Sequence, residues 1–124
     1  MARYRLSITL FVIASLCLPH RACPQAETWI ALVSDGGCGA KHSEPGQTDC
    51  IRKCNRGGAA IGHPEWKPQP LVLVKESDHS VWTVDNPSSL NGLEGRRVRA
   101  DVDIDTSKKG VHVKKVAAAS ERNP

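Results

Sequence analysis

The segment RRVRADVDID, residues 96–105, alternates between apolar and polar side chains. Its apolar residues share one face and its charged residues the other: Val98, Ala100, Val102 and Ile104 against Arg97, Arg99, Asp101, Asp103 and Asp105. Because successive side chains of a β-strand point to opposite faces, the segment is predicted to be a strand with one buried and one solvated face. A turn at Lys108-Lys109-Gly110 leads into Val111, Val113 and Val116, which predicts a partner strand.

Three more strands are expected upstream of this pair. The apolar run within ETWIALVSD, residues 27–35, ends at a Gly-Gly step and predicts a buried first strand. LVLV, residues 71–74, and VWTV, residues 81–84, flank a short polar turn and predict a hairpin. NPSSL, residues 86–90, opens a short turn or helix that ends by Gly95.

Five strands with a short helix between the third and the fourth follow the order of the OB-fold, a small, partly open β-barrel. The sequence therefore predicts a mainly β, five-stranded OB-like barrel with a cysteine-containing loop and helix inserted after the first strand. A generic five-stranded sandwich or roll is the alternative.

The N-terminus has the order of a secretory signal peptide. Arg3 and Arg5 precede an uncharged, mostly apolar stretch at residues 6–18, and Pro19 opens a more polar region. Thirteen such residues are too few for a bilayer span, which takes about 20. We therefore expect a signal peptide at 1–26, a barrel domain at 27–117 and a polar tail at 118–124, in an exported protein, periplasmic or secreted, without a transmembrane anchor in its mature form.

Removal of the leader changes the charge balance. The whole chain carries 17 Lys and Arg against 13 Asp and Glu, a formal net charge of +4. Arg3, Arg5 and Arg21 belong to the leader, so 14 basic and 13 acidic residues remain in the mature chain. A nearly neutral domain does not favour a nucleic-acid partner, and none is expected.

The cysteine segment carries a family resemblance. WIxxxSDxxCGAKH at residues 29–42, DCIxKC at 49–54 and the Gly-Gly that follows resemble a domain-of-unknown-function family of small exported bacterial proteins. GRRVRADVD, residues 95–103, is similar to a strand of that family. The stretch 59–70, with three prolines, is longer here than the family's step to the next strand. The resemblance implies export and a β-barrel, but no activity.

A disulfide is the default state of exported cysteines. Thr48 or Asp49 is a candidate N-cap for a helix over CIRKCNR, which Gly57-Gly58 would end. On that helix the Cβ atoms of Cys50 and Cys54 are about 5–6 Å apart, whereas a disulfide needs roughly 3.5–4.5 Å. Cys38 is thus the better partner, for Cys54 or alternatively Cys50. A Cys38–Cys54 bridge encloses 15 residues, and a loop of that size contributes about 3 kcal/mol.

A metal site is the alternative interpretation of the same residues. Cys38, His42, Cys50 and Cys54 offer three thiolates and one imidazole, a complete tetrahedral set for zinc. A filled set of four ligands would be structural. A third hypothesis is a reactive thiol in a redox protein, since Arg52, Lys53 and Arg56 surround Cys50 and Cys54 and cations favour thiolates.

Nothing in the sequence assembles a catalytic nucleophile, base and orienting group, so no catalytic residue and no enzyme activity are predicted. Trp82 and Trp66 are candidate ligand-binding residues, with a groove on the second and third strands near Trp82. We expect a non-catalytic binding or interaction module of the cell envelope, whose partner is an envelope protein or a small ligand. The alternatives are a metal-binding or thiol-redox protein and a structural envelope component. No cofactor is expected, with zinc as the alternative.

Overall fold

The computed structural model describes residues 25–41 and 46–120. Its strands are β1 (Gln25–Asp35), β2 (Leu71–Lys75), β3 (Val81–Val84), β4 (Arg97–Asp105) and β5 (Gly110–Ala118). Helix α1 (Thr48–Arg56) lies between β1 and β2, and short 3₁₀ helices span Gly39–Lys41, Ala59–Ile61 and Pro87–Leu90. The expected signal peptide up to residue 24, His42 and the tail from residue 121 lie outside the described residues. β1 begins two residues before the expected domain start at residue 27.

The five strands form one sheet that closes into a barrel in the order β1-β2-β3-β5-β4. β1 closes it on one side by pairing with β2 through residues 31–35 and with β4 through residues 25–32. The other closure is the parallel pairing of β3 with β5, at Thr83–Gly110 and Val84–Val111. The OB-like barrel is confirmed, and the sandwich alternative is wrong because one closed sheet replaces two packed sheets.

β4 shows the alternation that its sequence predicts. Val98, Ala100 and Val102 are fully buried in the core, and the charged residues between them face outward. In β5 the inward-facing residues are first two and then three positions apart. The change occurs because Val102 pairs with Val113 while Asp101 pairs with Lys115. Lys114 is thus the extra residue of a β-bulge, which returns Val116 to the core side.

The end of β1 is buried on both faces, as expected from its apolar run. Trp29, Ala31 and Val33 belong to the barrel core, whereas Leu32 and Ser34 are buried on the opposite side of the strand. Ser34 Oγ donates a hydrogen bond of 2.8 Å to the carbonyl of Gly39. The segment between β1 and β2 therefore covers the barrel wall at this point.

The connection between β3 and β4 anchors that segment. It holds the expected short helix, Pro87–Leu90, whose Leu90 is fully buried in the core. Gly95 has φ +73, and a Cβ there would lie 2.8 Å from the backbone nitrogen of Thr48. The expected caps at Thr48 and Asp49 are both wrong: Gln47 occupies the N-cap position, and the Thr48 hydroxyl instead donates to the carbonyl of Glu94 at 2.8 Å. Tertiary contact thus replaces the local cap.

Candidate metal centre

Asp35 positions the first cysteine of the site. It is the last residue of β1 and has no solvent exposure. Its Oδ1 accepts hydrogen bonds from the backbone amides of Gly37 and Cys38, each at 2.9 Å. A carboxylate that binds the amides two and three residues ahead folds the chain into a tight turn. This turn holds Cys38 beside Asp35.

Cys54 lies near the C-terminal end of α1, which is held beside the turn that carries Cys38. The amide of Gln69 donates to the carbonyl of Cys54 at 3.0 Å, and the Asn55 side-chain amide donates to the carbonyl of Gln69 at 2.8 Å. The next residue, Pro70, accepts a hydrogen bond from the amide of Gly36 at 2.9 Å. The residues before β2 therefore join the helix end to the turn after β1.

Three potential metal ligands converge at this junction. A carboxylate oxygen of Asp35 and the Sγ atoms of Cys38 and Cys54 all lie within 4.8 Å of one another. Zinc binds thiolates at about 2.3 Å and carboxylate oxygens at about 2.0–2.2 Å, so the ligand atoms around one zinc ion are less than about 5 Å apart. The geometry is therefore compatible with one shared ion.

The structure brings together some of the residues that the sequence singled out. Cys38 and Cys54, the expected disulfide pair, are neighbours, but the three cysteines of the described region are free thiols, so the disulfide stays a prediction. Cys50 is exposed and lies outside the group of three. His42 falls outside the described residues. Asp35 was missed; its position three residues before Cys38 at a strand end was the available signal.

Burial raises the pKa of the Cys54 thiol to about 11. The negative charges of Asp35, Cys38 and Cys50 and a hydrogen bond with Cys38 add to this effect. The basic residues of α1 were expected to favour the thiolate, which is the opposite direction. No basic residue contributes to the shift, and Arg52 Nε lies 3.7 Å from Glu94 Oε2.

We expect Cys54 of the metal-free, reduced protein to be alkylated by iodoacetamide about tenfold more slowly in the folded than in the unfolded state. At about pH 8 the raised pKa lowers the thiolate fraction about a hundredfold, and the greater nucleophilicity of the more basic thiolate offsets this by a factor of about ten. Peptide mass spectrometry after timed alkylation measures the rate. Asp35→Asn is expected to speed the folded-state reaction, and equal rates in both states would contradict the raised pKa.

Comparison of the chain with protein-family models, curated proteins and solved structures finds no match. The family resemblance of the cysteine segment stays a prediction. Among residues 25–41 and 46–120, no helix combines the length and the apolar character needed to cross a bilayer.

The two candidate tryptophans occupy different environments. Trp82 on β3 is half-buried against Trp29, with ring centroids 5.1 Å apart, and its Nε1 donates to Ser80 Oγ. Trp66 lies in the loop after α1, where its ring stacks on His63 at 3.9 Å. The described residues show no ring contact between the two, so the structure does not join them in one aromatic site.

A cleft of about 410 Å³ opens between the end of β3 and the β4–β5 turn. Asp85, Asp105, Lys108 and His112 contribute to its lining, and His112 Nδ1 lies 2.7 Å from Asp85 Oδ1. Neither a cysteine nor a tryptophan lines it. The cleft thus includes neither of the candidate tryptophans and none of the candidate metal ligands of the described residues.

Proposed function

We propose that this chain is an exported, non-catalytic binding protein of the cell envelope whose ligand is a thiophilic divalent metal ion, above all zinc. The convergence of Asp35, Cys38 and Cys54 within 4.8 Å carries the proposal. The charged, apolar and polar order of the N-terminus supports export.

The donor atoms select the class of metal. Two sulfur ligands suit zinc and similar ions, whereas calcium and magnesium take oxygen ligands. The carboxylate of Asp35 completes a set of three donors. Zinc would supply coordinate bonds between the turn after β1 and the end of α1, in addition to the hydrogen bonds that the chain itself supplies there.

A fourth ligand is available from the chain. Cys50 lies one helical turn before Cys54, so the two share a face of α1, and the negative charge of Cys50 is close enough to contribute to the raised pKa of Cys54. His42, one residue beyond the described segment that ends at Lys41, is the other candidate from the sequence. Either residue would make the site a filled, structural one.

The test is metal content and thiol titration of the exported form of the protein, purified without added reductant, followed by metal affinity of the reduced protein. We expect one zinc ion per chain, and competition with a chromophoric chelator should show that Cys38→Ser and Cys54→Ser each weaken binding by at least about a hundredfold, since even outer-shell changes cost 10–100-fold. Asp35→Asn should also weaken binding. His112→Asn is the control, because His112 lies on β5 beside Asp85 and is not among the candidate ligands, so its loss should leave the affinity unchanged.

Two results would overturn the proposal. One is a protein without metal in which a single thiol, that of Cys50, titrates per mature chain, because a Cys38–Cys54 disulfide would then occupy both sulfurs. The other is zinc binding that Cys38→Ser and Cys54→Ser leave intact, because the ion would then lie elsewhere. Cys50→Ser identifies the fourth ligand: a large loss assigns it to Cys50.

A further inference from the structure

Two large apolar side chains remain exposed in the part of the chain that the structure describes. They are Ile61, which is 66% exposed, and Trp66, which is 54% exposed. Both lie in the loop between α1 and β2, five residues apart. An exposed pair of this kind within one short loop is a candidate contact surface.

The loop holds these side chains in fixed positions. The amide of Gly58 donates to the carbonyl of Trp66 at 2.9 Å, and the amides of His63 and Trp66 donate to Gly58 and His63 at 2.8 and 3.0 Å. A Cβ at Gly58 would clash with the carbonyl oxygen of His63. The ring of Trp66 stacks on the His63 ring with an interplanar angle of 8°. The two side chains are therefore exposed on a loop with a defined fold.

The segment that carries the exposed pair has a net positive charge. Residues 46–70 contain four basic residues against two acidic ones, whereas the remaining described residues contain nine of each. Lys53 and Arg56 lie in the last turn of α1, and Lys67 follows Trp66 directly. We call Lys53, Arg56, Ile61, Trp66 and Lys67 the basic loop face.

We propose that the basic loop face docks on the surface of an anionic lipid bilayer. Trp residues favour the interface between headgroups and acyl chains, and Lys and Arg are attracted to anionic headgroups. Two apolar side chains are too few for the roughly 800 Å² per partner of a stable protein interface. A bilayer offers them apolar surroundings without a complementary pocket. The proposal is independent of the metal site, because none of the five residues is a candidate metal ligand.

The test is co-sedimentation of the protein with vesicles of phosphatidylcholine alone and of phosphatidylcholine mixed with phosphatidylglycerol. We expect binding to the mixed vesicles only. Ile61→Ser/Trp66→Ser should lower the partition coefficient at least about tenfold, since each side chain loses its apolar burial. Lys53→Glu/Arg56→Glu should do the same through lost attraction to the headgroups. Both pairs are exposed, and an unchanged melting temperature checks that the variants fold.

Lys108→Glu/Lys109→Glu is the matched control, because it makes the same change of net charge at the β4–β5 turn. It should lower the partition coefficient by less than about threefold, as the two lysines lie outside the basic loop face. Equal losses in the two charge variants would overturn the proposal, as would absence of binding to the mixed vesicles. Retained binding in Ile61→Ser/Trp66→Ser with loss in Lys53→Glu/Arg56→Glu would also overturn it, because the surface would then recognise polyanions in general.

Discussion

Zinc is expected to raise the melting temperature of the reduced protein by about 10 °C or more when its free concentration is about a hundred times the dissociation constant. A ligand at that excess, bound to the folded state alone, stabilises it by about 2.7 kcal/mol. In a domain of this size each kcal/mol moves the melting temperature by about 4–8 °C. The ion would join Asp35 at the end of β1 and Cys38 in the following turn to Cys54 on α1.

The double variant Cys38→Ser/Cys54→Ser is expected to lose this rise, while His112→Asn keeps it. Differential scanning calorimetry with and without a chelator, under reducing conditions, makes the comparison. An equal rise in the double variant would place the ion elsewhere. A wild-type protein that gains its stability only on oxidation, without metal, would show that a Cys38–Cys54 disulfide is the link between the insertion and the barrel.

The second large effect is expected from Leu90→Ala, which should lower the free energy of unfolding by about 2–5 kcal/mol. Leu90 is fully buried in the core and comes from the short 3₁₀ helix between β3 and β4. Its removal leaves a cavity lined by the strands, which are fixed by their hydrogen bonds and cannot collapse to fill it. Urea denaturation followed by tryptophan fluorescence measures the change.

Ile61→Ala is the control for Leu90→Ala. It removes an aliphatic side chain that is 66% exposed, so its effect on the free energy of unfolding should stay within about 0.5 kcal/mol. If Leu90→Ala cost less than about 1 kcal/mol, the interior at this end of the barrel would be loosely packed, and the short helix would not contribute to the core.

The strands were predictable because their signal is local. The alternation of apolar and polar residues in β4 places Val98 and Val102 on the inward face whatever they contact there. The turn between β2 and β3 is short, so the sequence pairs these two strands with each other as a hairpin. The bulge at Lys114 was also present in the sequence, as the three-residue step from Val113 to Val116. The candidate site was predicted only in part, because Cys38 and Cys54 are separated by a loop whose path depends on distant contacts.

The sequence by itself determined the strands, their order along the chain and the place of the cysteine insertion, because side-chain periodicity and turn residues act over a few positions. It favoured an OB-like barrel over a sandwich or roll, whereas the closure of the barrel depends on the long-range pairing of β1 with β4 and of β3 with β5. Only the tertiary structure decided that Asp35 joins Cys38 and Cys54, and that Thr48 bonds to Glu94 instead of capping its helix. Those contacts depend on how β2 returns beside β1 and on how the insertion packs against the β3–β4 connection, and neither can be derived from neighbouring residues alone.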